Sequence, residues 1–130
     1  MPTDEPRFTA PARDDVVVIL SRDAIGAALL AALVETLGYT VHFVRAPSTA
    51  DDAMRRLKPR ICLVDCDDPD MCGDEVIGRA MMRRVAVVIF GARSAMERVR
   101  EFAVRRGLQR LLMPATIRDI EAVVERAIAD

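Results

Sequence analysis

The residue types that could do chemistry in this chain collect around Asp65. This acid closes an apolar run, 61–64, and opens a loop carrying Asp67, Asp68, Asp70, Asp74 and Glu75. Pro69 lies inside the loop, and Gly73 precedes a helical pattern. A buried strand that hands one carboxylate to a loop ahead of a helix is where open α/β sheets place their sites. The acids invite a divalent cation, but no central glycine sits where a calcium loop requires one, and a solvated loop is expected. Cys66 adjoins Asp65, and acids beside a thiol raise its pKa and suppress its reactivity. Cys62, Cys66 and Cys72 are odd in number and form no CxxC. Neither a disulfide framework nor a zinc site is expected from them, and Cys62 reads as a small core residue. His42 is the sole histidine, has no partner adjacent in sequence, and is not expected to act in catalysis.

Bulk composition suggests no other chemistry. A chain of 130 residues fits one domain with a normal core. It is 52% hydrophobic but only 4% aromatic, so Val, Leu, Ile, Ala and Met must fill that core. A net charge of −1 gives no bulk attraction to nucleic acid or to an anionic membrane, and no helix-turn-helix pattern is present. No run approaches the ~20 apolar residues of a membrane span. Residues 1–15 are polar, contain Pro2, Pro6 and Pro11, and lack an apolar signal core. They read as a loose tail ahead of a single domain, 16–130, in a cytoplasmic protein.

The elements that must position Asp65 alternate strand and helix. The apolar run 16–20 has the character of a strand buried on both faces. Ser21 or Asp23 caps a helix that runs to about Leu37 and stops at Gly38. In that helix Ile25, Leu29 and Leu33 are expected to face the core, leaving Ala27, Ala31 and Val34 outward. Strand two covers 39–44. Pro47 and Ser48 open helix two, with Ser48 and Asp51 at capping-box spacing, and Pro59 ends it. Strand three is 61–64, helix three about 74–84 and strand four 85–90. Ser94 and Glu97 form a capping box for a single fourth helix that stops at Gly107. Strand five is 108–113, and Thr116 caps the last helix. Five such units with short connections imply a flavodoxin-like α/β fold, its parallel sheet in the order 2-1-3-4-5. The switch point, between strands one and three, brings together Ser21, Arg22, Asp23, Asp65, Cys66 and Asp67, with Gly91 and Ala92 alongside.

On these residues, 16–130 resembles the receiver domain of two-component response regulators. Val64-Asp65 followed by Pro69 and Gly73 is similar to that family's phosphoacceptor loop, and Gly38-Tyr39, Gly107 and Pro114 also fit. The resemblance implies a phosphoacceptor at Asp65. It further implies an acidic pair after strand one that holds Mg²⁺, a hydroxyl ending strand four, and an aromatic then a lysine in strand five. Those positions fall on Ser21 and Arg22, on Gly91, and on Arg110 and Met113, so the pattern is that of a degenerate receiver. Mg²⁺ demands oxygen ligands in a strict octahedron. Ser21 offers one neutral oxygen and Arg22 the wrong charge, so no cofactor is expected. Asp14 and Asp15 sit about 16 Å away, at the far end of strand one, and Asp23 alone makes a poor magnesium pocket. Phosphoryl transfer rests on positioning and on neutralised charge, and here both the metal and the lysine are missing. The hydroxyl and ring whose joint movement switches the family's output are missing too. Arg22 is expected to fork onto Asp65 and stand in for the cation.

The implied function is a receiver-like signalling domain in a bacterial phosphorelay context. It is expected to be no enzyme, to work without phosphorylation, and to act through protein contacts. One candidate docking face is helix 24–37, apolar on most sides, for a partner or a second copy in a homodimer. The other is the 94–130 face, made basic by Arg98, Arg100, Arg105, Arg106 and Arg110, for an acidic partner. Two alternatives stand beside this reading. One is a functional receiver phosphorylated at Asp65 by a histidine kinase. The other is a small-ligand or flavin-binding domain, for which Ser21-Arg22-Asp23-Ala24 makes a poor phosphate loop.

Overall fold

The computed structural model describes residues 15–129, so the expected tail lies outside the described residues except for Asp15. Strands β1 (Val16–Leu20), β2 (Thr40–Val44), β3 (Ile61–Asp65), β4 (Ala86–Gly91) and β5 (Gln109–Leu112) form one parallel sheet in the order β2-β1-β3-β4-β5. This is the sheet order that alternating strands and helices implied. The central strands are the most apolar because neighbours and helices cover them entirely: Val17 to Leu20 and Ile61 to Val64 are 0% exposed.

Alternation along the strands divides the core in two. Val17, Ile19, Ile61, Leu63, Val88 and Phe90 pack under α1 (Ala24–Thr36) and the C-terminal helix, 117–129. Val18, Leu20, Cys62, Val64, Val87 and Ile89 pack on the other side, under α2 (Ala50–Leu57), α3 (Asp74–Met82), α4 (Arg93–Arg98) and α5 (Arg100–Arg106). Each fully buried aliphatic side chain contributes about 1.5–3 kcal/mol. A bidentate ion pair from Arg83 to Asp51, 2.7 and 3.1 Å, also ties the end of α3 to α2.

Helix α1 is rotated from the expected orientation. Ala27, Leu30, Ala31 and Val34 are buried; of the stripe expected inward, Leu33 packs partly buried against the same core, whereas Ile25 and Leu29 are 76% and 66% exposed. Both stripes are apolar at helical spacing, so hydrophobicity alone does not choose between them. The chosen one has small side chains at 27 and 31, which let the helix lie close to the sheet. Asp23 caps the helix, its carboxylate accepting from Gly26 N at 3.1 Å.

The other helix starts are mixed. The final helix, α6 (Ile117–Ala129), has a reciprocal cap: Asp119 N donates to Thr116 Oγ1 at 3.1 Å and Thr116 N to Asp119 Oδ2 at 3.0 Å. The capping boxes expected at Ser48 and Ser94 do not form. A 3-10 turn, Pro47–Thr49, leads into α2, and α4 begins at Arg93 after Ala92 with no side-chain cap. The expected single fourth helix is two stacked pieces. Val99, β-branched and therefore stiff at χ1, leaves helical geometry at φ −98°, ψ 10°. Gly107 then closes α5 in the left-handed region, φ 66°, where a side chain is disfavoured.

Candidate functional site

Register and alternation together determine what meets Asp65. Leu20 lies opposite Val64 in the β1–β3 pairing. One step further along both chains brings Ser21 beside Asp65. Residues 17, 19 and 21 of the first strand share a side with 61, 63 and 65 of the third. Accordingly Ser21 Oγ donates to Asp65 Oδ2 at 2.7 Å, and both residues are buried, 3% and 6% exposed. The Asp23 amide donates to the same Ser21 Oγ at 3.0 Å and so orients the hydroxyl toward the acid. Asp65 Oδ1 accepts from Asp67 N at 2.9 Å. Both carboxylate oxygens are therefore engaged from within the chain.

Arg22 does not pair with Asp65. Its Nε and Nη2 fork onto Asp68 at 2.6 and 2.7 Å, and Nη2 also reaches Asp70 at 3.0 Å. The alternation that brings Ser21 to Asp65 turns the next side chain away. Partly buried Asp68 and exposed Asp70 then offer the guanidinium carboxylate partners, Asp68 in bidentate fashion, with less desolvation than burial beside Asp65 would impose. The pairing holds Arg22 charged and keeps the Asp68 carboxyl below the usual range, chiefly through the hydrogen bonds between them.

Asp65 shifts the other way. Burial pushes its carboxyl above the usual range, and the charges of Asp67 and Asp68 add to that. The Ser21 hydroxyl and the Asp67 amide oppose the shift without cancelling it.

Asp67 turns toward β4, where its Oδ1 accepts from Ala92 N at 3.2 Å. It lies against Gly91. A Cβ built on Gly91 would stand 3.2 Å from Asp67 Oδ1 and 3.3 Å from both Ala95 Cβ and Met96 Cε. Met113 follows β5, and its amide donates to Gly91 O at 2.9 Å. Arg110 lies opposite Ile89 in the β4–β5 pairing and is exposed. Of the residues singled out from sequence, Ser21, Asp65, Asp67 and Gly91 thus form one contiguous site, with Asp23 supporting Ser21. Arg22 belongs to the acidic loop beside it.

Two features of the loop were missed. Cys66 and Cys72 form a disulfide, their Cα atoms 4.8 Å apart, contrary to the expectation of none. Odd count and spacing argued against it, but a six-residue separation across a tight loop brings the two together regardless. Arg98 of α4 donates to Cys66 O at 2.6 Å, and Arg106 of α5 pairs with Asp74 at 2.6 Å. Two of the five arginines read as a basic face are thus engaged with the loop.

Among the described residues, no three His, Cys, Asp or Glu side chains are grouped to hold a metal ion, and no helix is long and apolar enough to cross a membrane.

No protein-family model and no curated protein matches the chain by sequence. Solved structures do match it. A putative response regulator from Chloroflexus aurantiacus superposes with a TM-score of 0.78 at 15% identity, covering 91% of this chain and 100% of that one. The receiver domain of a sensor histidine kinase from Pseudomonas aeruginosa, solved with magnesium in its active-site cleft, gives 0.75 at 21% identity over 89% and 98%. The signal receiver domain of a modulated diguanylate cyclase from Desulfovibrio desulfuricans gives 0.70 at 25% identity over 88% and 93%. The chain has the flavodoxin-like fold of response-regulator receiver domains.

Proposed function

We propose that this is a receiver-like signalling domain that works by protein contact, without phosphorylation at Asp65 and without catalysing a reaction. One observation carries the reading: the Asp65 carboxylate is satisfied by Ser21 and by the Asp67 amide. Its surroundings do not fit magnesium. The oxygens at hand are one carboxylate and one hydroxyl already bonded to each other, while Asp67 is turned to Ala92 and Asp68 to Arg22. The two candidate cations for a phosphoryl group are not offered to it: Met113 stands where the resemblance calls for lysine, and Arg22 is held by the loop.

The α4–α5–β5 side is the better of the two candidate faces for a protein partner. Arg93, Arg100 and Arg110 line a groove there with one acid, Glu97, and with Met96 and the half-exposed Leu112, and none of the three arginines has an ion pair among the described residues. Charge complementarity favours an acidic partner segment with an apolar anchor.

The test is a titration with beryllofluoride and Mg²⁺, following backbone amides at Asp65, Gly91 and Met113. The expected result is no saturable change. Shifts at those three sites that saturate at low-millimolar magnesium would establish a working phosphoacceptor and overturn the proposal.

A further inference from the structure

We infer that Cys66 and Cys72 are a reversible redox modification site, a thiol–disulfide pair that responds to low-molecular-weight thiols and disulfides. The inference stands apart from the reading of Asp65. The bond joins the residue after β3 to the residue before the α3 cap, Gly73, closing the loop 67–71 between them.

Three observations carry it. First, the two sulfurs differ in access: Cys66 is fully buried and Cys72 half-buried, so an incoming thiol meets Cys72 first. Second, the remaining thiol cannot compete, because Cys62 lies fully buried in β3 where burial raises its pKa and keeps it protonated. Third, Cys66 is coupled to other elements through its backbone. Its amide donates to Phe90 O of β4 at 2.8 Å, and its carbonyl accepts from Arg98 of α4 at 2.6 Å.

The exchange balances without any bound group. A thiolate attacks Cys72 Sγ, the Cys66–Cys72 bond breaks, and its electron pair leaves on Cys66 Sγ, which takes up a proton. A second thiolate then attacks the mixed disulfide, freeing Cys72 and releasing the oxidised small disulfide. In the dithiol form the loop keeps only its non-covalent restraints. These include the Arg22 fork on Asp68 and Asp70, the Asp67 bond to Ala92, the Arg98 bond to Cys66 O and the buried side chain of Met71.

The experiment equilibrates the full chain in glutathione and glutathione disulfide over a wide range of ratios, then traps free thiols by alkylation and reads the mass. A single transition is expected in which both thiols disappear together, with Cys62 unlabelled until the protein is denatured. Amides of residues 66–68 and 70–74 and of Arg98 should shift along the same transition. Cys62→Ala should leave its midpoint unchanged, and Cys72→Ser should hold the reduced spectrum at every ratio. A pair that stays oxidised in the most reducing buffer, or reduced in the most oxidising one, overturns the inference. So does a transition that leaves the Arg98 amide unmoved.

Discussion

At the scale of single residues, the bond between Ser21 and Asp65 decides the character of the site. Ser21→Ala leaves a buried, charged acceptor short of a donor, and a stability loss of about 1.5–3 kcal/mol is expected in urea denaturation. Asp65→Asn should act in the opposite sense, and with a definite pH dependence. The folded-state pKa of Asp65 is raised by burial. Below the ordinary carboxylate value of about 3.9, both folded and unfolded chains carry the proton and the two proteins should be about equally stable. As pH rises from there toward the raised folded value, the unfolded chain releases the proton while the folded acid keeps it, which favours unfolding of the wild type and leaves the amide variant unaffected. The variant's advantage should therefore grow through that window and level off above it. A variant no more stable at neutral pH than at the acid end would contradict this account. The sequence made Asp65 legible as the focal residue. It did not make its partner legible, because attention to charge favoured Arg22 where strand alternation favoured Ser21. The same alternation, applied one residue past the end of β1, was the signal that would have found it.

At the scale of elements, the sequence was clear about where strands and helices lie and less clear about which way they face. β1 and β4 carry no polar side chain and β3 none before Asp65, so all three read as buried strands. Helix α1 is apolar on most sides, with Glu35 its one charge, and for that reason hydrophobicity does not fix its orientation. The observed orientation predicts a contrast: Leu29→Lys should change stability by no more than about 0.5 kcal/mol, whereas Leu30→Ala should cost about 2–5 kcal/mol. Thermal or urea unfolding of the two variants distinguishes them, and equal losses would mean the helix faces otherwise. The α6 cap is a second check. Thr116→Ala removes the acceptor for Asp119 N and should cost about 0.5–2 kcal/mol. The caps read at Ser48 and Ser94 failed because spacing alone does not place a hydroxyl over a helix end. At Ser48 a proline-led turn takes the chain into α2 by another path.

At the scale of the whole molecule, one sheet is shared by two cores, so the layers should melt together. Tyr39 is the only tyrosine, the chain has no tryptophan, and Tyr39 belongs to the α1–α6 core, so its fluorescence reports one side alone. Ile77→Val removes a methyl group from the other side, at an expected cost of about 0.5–1.5 kcal/mol. Tyr39 fluorescence and far-ultraviolet dichroism should show the same lowered midpoint. Separate midpoints would mean that the layers unfold independently. The crowding of Asp67 and Met96 around Gly91 bears on any attempt to engineer a phosphorylatable centre into this scaffold. Threonine at 91 would press on Asp67 Oδ1, Met96 Cε and Ala95 Cβ, each of which must give by a few tenths of an ångström, and the carboxylate cannot give way without loosening its brace on the Ala92 amide. A hydroxyl at 91 therefore belongs with a change at 67, and an acid at 21 or a lysine at 113 with both. Installed alone, the hydroxyl would disturb the packing around β4 without supplying a cation or a metal ligand.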